Sequence, residues 1–170
     1  MIETERLLLR HHRLDDFPAY HAMNSDPRVL EFIAAGKPLT LEESWNKFMR
    51  NAGFFPILGY GLFAVEEKAS GAYVGHTGLA DFHRGLGEDF DPFAEGAWAM
   101  SADVHGRGYA AEAVKGAHAW FDATFKPART VCIIDPLNLP SLKLAEKLGY
   151  RAYDEAIYKE KRVIKLERKI

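Results

Sequence analysis

The chain has 170 residues, 48% of them hydrophobic and 12% aromatic, which is the size and apolar content of one domain covering residues 1–170 with a well-filled core. With 22 Lys and Arg against 24 Asp and Glu, the formal net charge of -2 is too small for a field that would gather nucleic acid or an acidic membrane surface. No run reaches the roughly 18 uninterrupted apolar residues of a membrane span, and the acidic N-terminus Met1 to Arg6 is unlike a secretory signal, so a cytoplasmic protein is expected. Small molecules or a polypeptide end remain as partners.

In chain order, Glu5 to Arg10 carries Leu7, Leu8 and Leu9 and predicts an opening strand, after which Asp15 and Asp16 suit the first turn of a helix ending near Asn24. Asp26-Pro27 restarts a short helix with Val29, Leu30 and Ile33 as its apolar stripe. Thr40 with Glu43 predicts a capping box, opening a helix whose apolar face is Trp45, Phe48 and Met49 and which Gly53 closes. Tyr60 to Glu66 and Tyr73 to Phe82 read as strands joined by the polar turn Lys68 to Gly71, and Gly96 to Ala102 as a third strand after the loop Arg84 to Ala94.

Arg107 to Phe125 then places Ala110, Ala113, Val114, Ala117, Phe121 and Phe125 at helical spacing, so a long amphipathic helix is expected, stopped by Pro127. Thr130 to Ile134 is a short β-branched strand, in which the single cysteine, Cys132, is expected as a buried structural thiol. Pro140 to Leu148 reads as a helix ended by Gly149, with strands near Tyr150 to Tyr153 and Tyr158 to Leu166. Strands interrupted by helices predict an α/β (α+β) fold with a single mixed, mostly antiparallel sheet of about six to seven strands.

The segment with chemical content is Met100 to Ala113, a strand running through a glycine-rich turn straight into the long helix. A helix start leaves its first backbone N–H groups unpaired and carries partial positive charge, so it holds a phosphate without a cationic side chain. Gly106 and Gly108 let those amides approach an anion, while Ala110 and Ala111 keep the first turn clear. Taken alone, Gly-x-Gly is equally a tight strand-to-helix turn with no ligand. A dinucleotide-binding turn would need a third glycine where Ala111 stands, and a P-loop would need Lys-Ser or Lys-Thr after the turn.

His105 to Ala110 resembles the GCN5-related N-acetyltransferase signature Gln/Arg-x-x-Gly-x-Gly/Ala, with His105 standing where Gln or Arg is usual. Thr4 to Arg10, the run Glu95-Gly96-Ala97-Trp98 through Ala113, and Asn138-Leu139-Pro140-Ser141 followed by Glu146-Lys147-Leu148-Gly149-Tyr150 are similar to the branch that includes ribosomal-protein N-terminal acetyltransferases. The resemblance covers nearly the whole chain. It implies the acyl-CoA N-acyltransferase fold and acetyl-CoA as co-substrate, held by Ala99, Met100, Ala102, His105, Gly106, Arg107, Gly108, Tyr109, Ala110, Asn138 and Ser141. It also implies an acetyl group moved to a primary amine, either a protein N-terminus or a small molecule, in a ternary complex.

Such transfer needs a bound thioester, a neutral amine, stabilisation of the oxyanion and a proton for the departing thiolate. The resemblance implies a backbone amide near Ala99 or Met100 for the acetyl carbonyl, Glu95 as the base, Ser141 as the donor to the thiolate and Asn138 as a positioner of the pantetheine arm. The Tyr that many relatives place before the Gly-Phe/Tyr pair is here Ala145. Read as plain structure, Glu95 is an exposed strand-end carboxylate, and Asn138 and Ser141 are helix caps. His76 and His83 are secondary base candidates, and Glu88, Asp89, Asp91, Glu95 and Asp103, in the stretch Gly85 to Gly106 without Lys or Arg, are either a plain solvated loop or a local potential that favours a cationic amine. No metal site is expected, a homodimer stays open, and the rival readings are a non-catalytic acyl-CoA-binding or sensor module and a nucleotide-binding domain unrelated to CoA.

Overall fold

The computed structural model describes residues 1–31 and 37–170. Strands β1 (Ile2–Glu3) and β2 (Leu7–Arg10) precede helices α1 (Phe17–Met23), α2 (Pro27–Leu30) and α3 (Leu41–Leu58). Strands β3 (Leu62–Glu67), β4 (Tyr73–Ala80) and β5 (Glu95–Met100) form an antiparallel meander. Helix α4 (Tyr109–Phe125), β6 (Arg129–Ile134), α5 (Leu139–Lys147), β7 (Arg151–Tyr158) and β8 (Lys161–Lys169) complete the chain. One sheet results, in the order β1-β2-β3-β4-β5-β6-β8-β7, antiparallel throughout except where β5 meets β6.

The sheet has eight strands rather than six or seven, because Ile2–Glu3 pairs with Leu8 and Leu9 as a two-residue strand too short to show an alternating pattern. At the far end, β7 and β8 extend beyond the expected runs and meet in a turn at Lys159 and Glu160, which adopt φ of 49° and 64°. Neither residue is a usual choice for the left-handed region, so the hairpin was hidden in the sequence.

Helix α3 shows a second difference. The Thr40 and Glu43 box forms with both reciprocal bonds, yet the helix runs through Gly53 and Pro56 and ends at Gly59, whose φ is 79°. Its buried side is Ser44, Phe48, Asn51 and Phe54, while Trp45 and Met49 are 38% and 49% exposed. Phe54 continues that buried side, which outweighs the propensity cost of about 1 kcal/mol for an interior glycine. Ile33, expected on the stripe of α2, lies outside the described residues.

Two core clusters lie side by side on the α4 face of the sheet, since Met100 of one and Trp98 of the other share a face of β5. In one, Ala113, Ala117 and Tyr109 of α4 pack on Leu7, Leu9, Phe63, Val65, Val74 and Met100. The other joins Ala145 of α5 to Cys132, Ile134, Tyr150 and Leu166, with Trp98 packed against it, and Cys132 is the buried thiol expected. Within α4, His118 donates Nδ1–H to the Val114 carbonyl at 2.9 Å, which fixes Nε2 as acceptor from the Tyr150 hydroxyl at 3.0 Å. Gly96 exists to let β5 pass this pair, since a Cβ there would stand 2.9 Å from the Tyr150 hydroxyl.

Candidate active site

Between β5 and α4 the chain makes a 3-10 turn at Ala102–Val104, then Gly106 and Gly108 with φ of 75° and 78°, a region where a Cβ is strained. Ala102 therefore belongs to this turn and not to the strand as expected. Gly108 caps α4 without a side-chain hydrogen bond, and the amides of Gly106, Gly108, Tyr109 and Ala110 have no partner among the described residues. Every neighbouring carboxylate is engaged elsewhere: Glu112 by Thr4 and Arg6, Glu67 by Tyr109 and Arg107, and Asp103 by Arg28. The Arg107 guanidinium is drawn aside to Glu67 at 2.8 Å, and its carbonyl accepts from Arg6 at 2.9 Å. What faces outward is a crown of free N–H groups at a positive helix end, which suits a diphosphate. His105 turns its Nε2 back onto the Met100 carbonyl at 3.0 Å, so its ring ties the turn to β5.

Next to this crown the sheet opens. β5 and β6 are parallel and pair only at Glu95 and Val131, beyond which neither has a partner on the facing edge among the described residues. Ser101 donates to the Val74 carbonyl at 2.8 Å, so alternation turns the amides of Ser101 and Ala99 toward β4 and those of Met100 and Trp98 toward the gap. Of the two amides named from the sequence, only that of Met100 faces the opening. Across the gap, Trp98 donates Nε1–H to Ser141 Oγ at 3.2 Å, leaving the Ser141 hydroxyl proton free to donate. Asn138 caps α5 by accepting the Ser141 amide at 3.1 Å, so the capping geometry is present and the Asn138 side-chain amide N–H groups remain available.

A cavity of about 660 Å³ occupies this gap and the space under α3, and His76, Glu95, Ala97, Trp98, Asn138 and Ser141 all line it. Glu95 is 3% exposed, unlike the exposed strand-end carboxylate that was the alternative, and Arg84 holds both its oxygens at 2.6 and 2.7 Å. Burial raises the Glu95 carboxyl above its ordinary value and Arg84 pulls against that rise. His76, the cross-strand neighbour of Ala99, shares a 3.2 Å hydrogen bond with the Tyr73 hydroxyl, and burial pushes its imidazole well below the usual range. His83 is exposed and lies off the lining, so it is not brought to the site.

Most of the carboxylates expected to favour a cationic amine have partners within the protein. Asp89 is bound by Lys165 at 2.6 Å, Asp91 accepts from the Gly87 amide, and Asp103 pairs with Arg28. Arg84, immediately before that acid-rich stretch, is the residue that neutralises Glu95. Sequence reasoning also passed over Trp98 and the cations Lys47 and Arg50, which reach the cavity from one side of α3. Their spacing on a capped helix was the available signal. Among the described residues no group of His, Cys, Asp or Glu is arranged to hold a metal ion, and no helix is long and apolar enough to cross a membrane.

Residues 6–151 match the family of the acetyltransferase (GNAT) domain. A putative GnaT-family acetyltransferase from Bordetella pertussis is 32% identical, with a TM-score of 0.87 over 98% of each chain. The uncharacterized N-acetyltransferase YnaD of Bacillus subtilis (strain 168) is 26% identical over 155 residues, 88% of this chain and 82% of that protein. Spermidine N-acetyltransferase from Vibrio cholerae, solved in complex with CoA and spermine, has a TM-score of 0.73 over 96% of this chain and 95% of its own; at 15% identity this likeness is one of fold alone. With a free-amide crown, a parted pair of parallel strands and a family match over most of its length, the chain belongs to the GNAT acetyltransferases.

Proposed function

We propose that the protein moves an acetyl group from acetyl-CoA to a primary amine by direct transfer in a ternary complex, and that its motifs ally it with the branch of ribosomal-protein N-terminal acetyltransferases. The observation that carries this reading is the gap between β5 and β6 standing beside the uncapped start of α4. The amides of Gly106, Gly108, Tyr109 and Ala110 would hold the diphosphate of the coenzyme, and the Met100 and Trp98 edge of β5 would pair with the amide-bearing pantetheine arm. Bound acetyl-CoA supplies the activated acetyl group as a thioester.

The chain's own residues then handle position and protons. The Met100 amide is preset toward the acetyl carbonyl, where a fixed donor stabilises developing negative charge without reorganisation. Glu95, on the wall of the cavity, takes the proton that the attacking amine must lose, directly or through water. Ser141 donates its hydroxyl proton toward the thiolate as the C–S bond breaks and the C–N bond forms. Asn138 steadies the pantetheine arm with its amide N–H groups. The acceptor is a protein N-terminus or a small-molecule amine.

One observation favours a second reading, a CoA-binding module without turnover: both Glu95 oxygens are occupied by Arg84. The two readings part on acetyl-CoA consumption over a panel of amines and short peptides with free N-termini, run beside calorimetry with CoA and NAD. The enzyme reading requires CoA binding, indifference to NAD and amine-dependent thiol release; CoA binding without thiol release on any acceptor establishes the module instead.

A further inference from the structure

The wall of the cavity built by α3 and the β7–β8 turn carries positive charge that acetyl transfer itself does not use. Once Arg84 and Glu95 are set aside as a pair, Lys47, Arg50, Lys159 and Lys161 face Glu43 and Asp135 on the lining. Both of those carboxylates are already engaged. Glu43 accepts the Thr40 backbone N–H at 2.8 Å in the cap of α3, and Asp135 accepts the Leu137 N–H at 2.9 Å.

Lys47 has a single, neutral partner, the Asn24 side-chain oxygen at 3.2 Å. Arg50 has no ion pair or hydrogen bond among the described residues; its guanidinium stands 5.3 Å from the centre of the Phe82 ring. The residues outside the description, Phe32 to Gly36, contain no acidic side chain, so they supply no carboxylate. Lys47 is half-buried, and enclosure followed by the charges of Arg50, Lys159 and Arg84 holds its ammonium down at about 8. With the Arg84 and Glu95 pair set aside, four cations against two carboxylates leave the lining an excess of positive charge, which an anion from outside offsets.

The coenzyme's diphosphate does not account for these cations. The crown for that diphosphate starts α4, which packs on the side of the sheet bearing Val74 and Met100, whereas Lys47 and Arg50 belong to α3 and line the cavity with His76. Lys47 and Arg50 are one helical turn apart on α3 and both line the cavity, so an ammonium and a planar guanidinium fork are offered along one wall, and a guanidinium fork matches a carboxylate in two parallel bonds.

We propose that the acceptor is a small amine that also bears a carboxylate, gripped by Arg50 and Lys47 while its amino group is delivered to the gap between β5 and β6. The proposal rests on the acetyl-transfer reading and narrows its substrate class. Arg50 and Lys47 are specificity residues in it, separate from the groups that move protons.

The test is a matched acceptor series: each proteinogenic amino acid beside its decarboxylated amine, with a tripeptide bearing a free N-terminus as a third arm, and acetyl-CoA turnover followed by thiol release. The expected result is a kcat/KM preference of about 30-fold or more for the carboxylate-bearing member of at least one pair, the size of a charge-assisted interaction. Arg50→Gln and Lys47→Gln, each confirmed as folded by thermal melting, should collapse that preference by raising KM for the amino acid with kcat changed by no more than about twofold. Equal or better use of the decarboxylated amines or the tripeptide overturns the proposal and leaves acetyl transfer standing. An equal effect of Arg50→Gln on both members of the preferred pair also overturns it. Absence of turnover in every arm, with CoA bound, overturns the acetyl-transfer reading itself.

Discussion

Arg84 grips Glu95 in a fork, with its Nε and one terminal nitrogen on separate carboxylate oxygens at 2.6 and 2.7 Å. The pair sets the difficulty of the proposed proton transfer, because a carboxylate this buried prefers to be neutral while its partner keeps it charged. Glu95→Gln preserves the shape and removes the proton acceptor. It should lower kcat about 100-fold and leave the calorimetric Kd for CoA within about twofold. A variant that keeps most of its kcat would remove Glu95 from the mechanism.

Arg84→Met tests the same pair from the other side. Burial of Glu95 remains and the opposing charge is gone, so its carboxyl titrates at still higher pH. Since the base must be deprotonated, the acid limb of the kcat/KM profile should move upward in pH, and stability in urea should fall by about 3 kcal/mol, the cost of stranding a buried charge.

Gly106→Ala and Gly71→Ala form a matched pair. Both glycines have positive φ, 75° and 71°, and neither would present a Cβ to any atom within 4 Å. Each substitution should destabilise by about 1 kcal/mol. Only Gly106→Ala should weaken CoA, by about tenfold, because only there does the methyl group stand among the amides offered to the diphosphate. Equal CoA affinities in the two variants would separate that turn from coenzyme binding.

Ser141→Ala removes a hydroxyl that accepts from Trp98, and Trp98→Phe removes the same hydrogen bond while leaving the hydroxyl in place. Loss of the bond should cost each variant about 1 kcal/mol in thermal unfolding. A fall in kcat of about tenfold or more is expected for Ser141→Ala, and it should exceed the fall for Trp98→Phe. Matching losses would assign the effect to the bridge across the gap and not to proton donation.

Two imidazoles predict the acid limit of the fold. Burial holds His12 and His118 near 4, below the ordinary value of 6.5. Between those values the unfolded chain binds protons that the folded chain refuses, so stability is fully present above about 6.5 and is lost as pH falls toward 4, by roughly 3 kcal/mol for each group. Urea midpoints measured across that window should fall with acidification, and His118→Asn should flatten the slope.

The residues that make elements by local rules were legible: the cap at Thr40, the apolar period of α4, the turn at Lys68 to Gly71 and the glycine-rich helix start all declare themselves within a few neighbours. What was hidden depends on partners distant in sequence. A two-residue strand such as β1 exists only because β2 lies beside it, and Gly53 failed to end α3 because tertiary packing continued beyond it. The site divides in the same way. Glu95, Asn138 and Ser141, named from the motif resemblance, all line one cavity, while the counter-charge on Glu95 and the cations on α3 are facts of folding that no local count of acids captured.

The single Glu95 to Val131 bridge has a consequence for the protein's company in the cell. Sheets usually risk fusion at their outer rims, where a free strand edge templates another chain. Here the ragged seam lies in the interior of the sheet, between β5 and β6, and not at an outer rim. Its bare amides and carbonyls are offered to an extended guest lying between two strands, and this unpaired edge is not presented at the rim of the sheet.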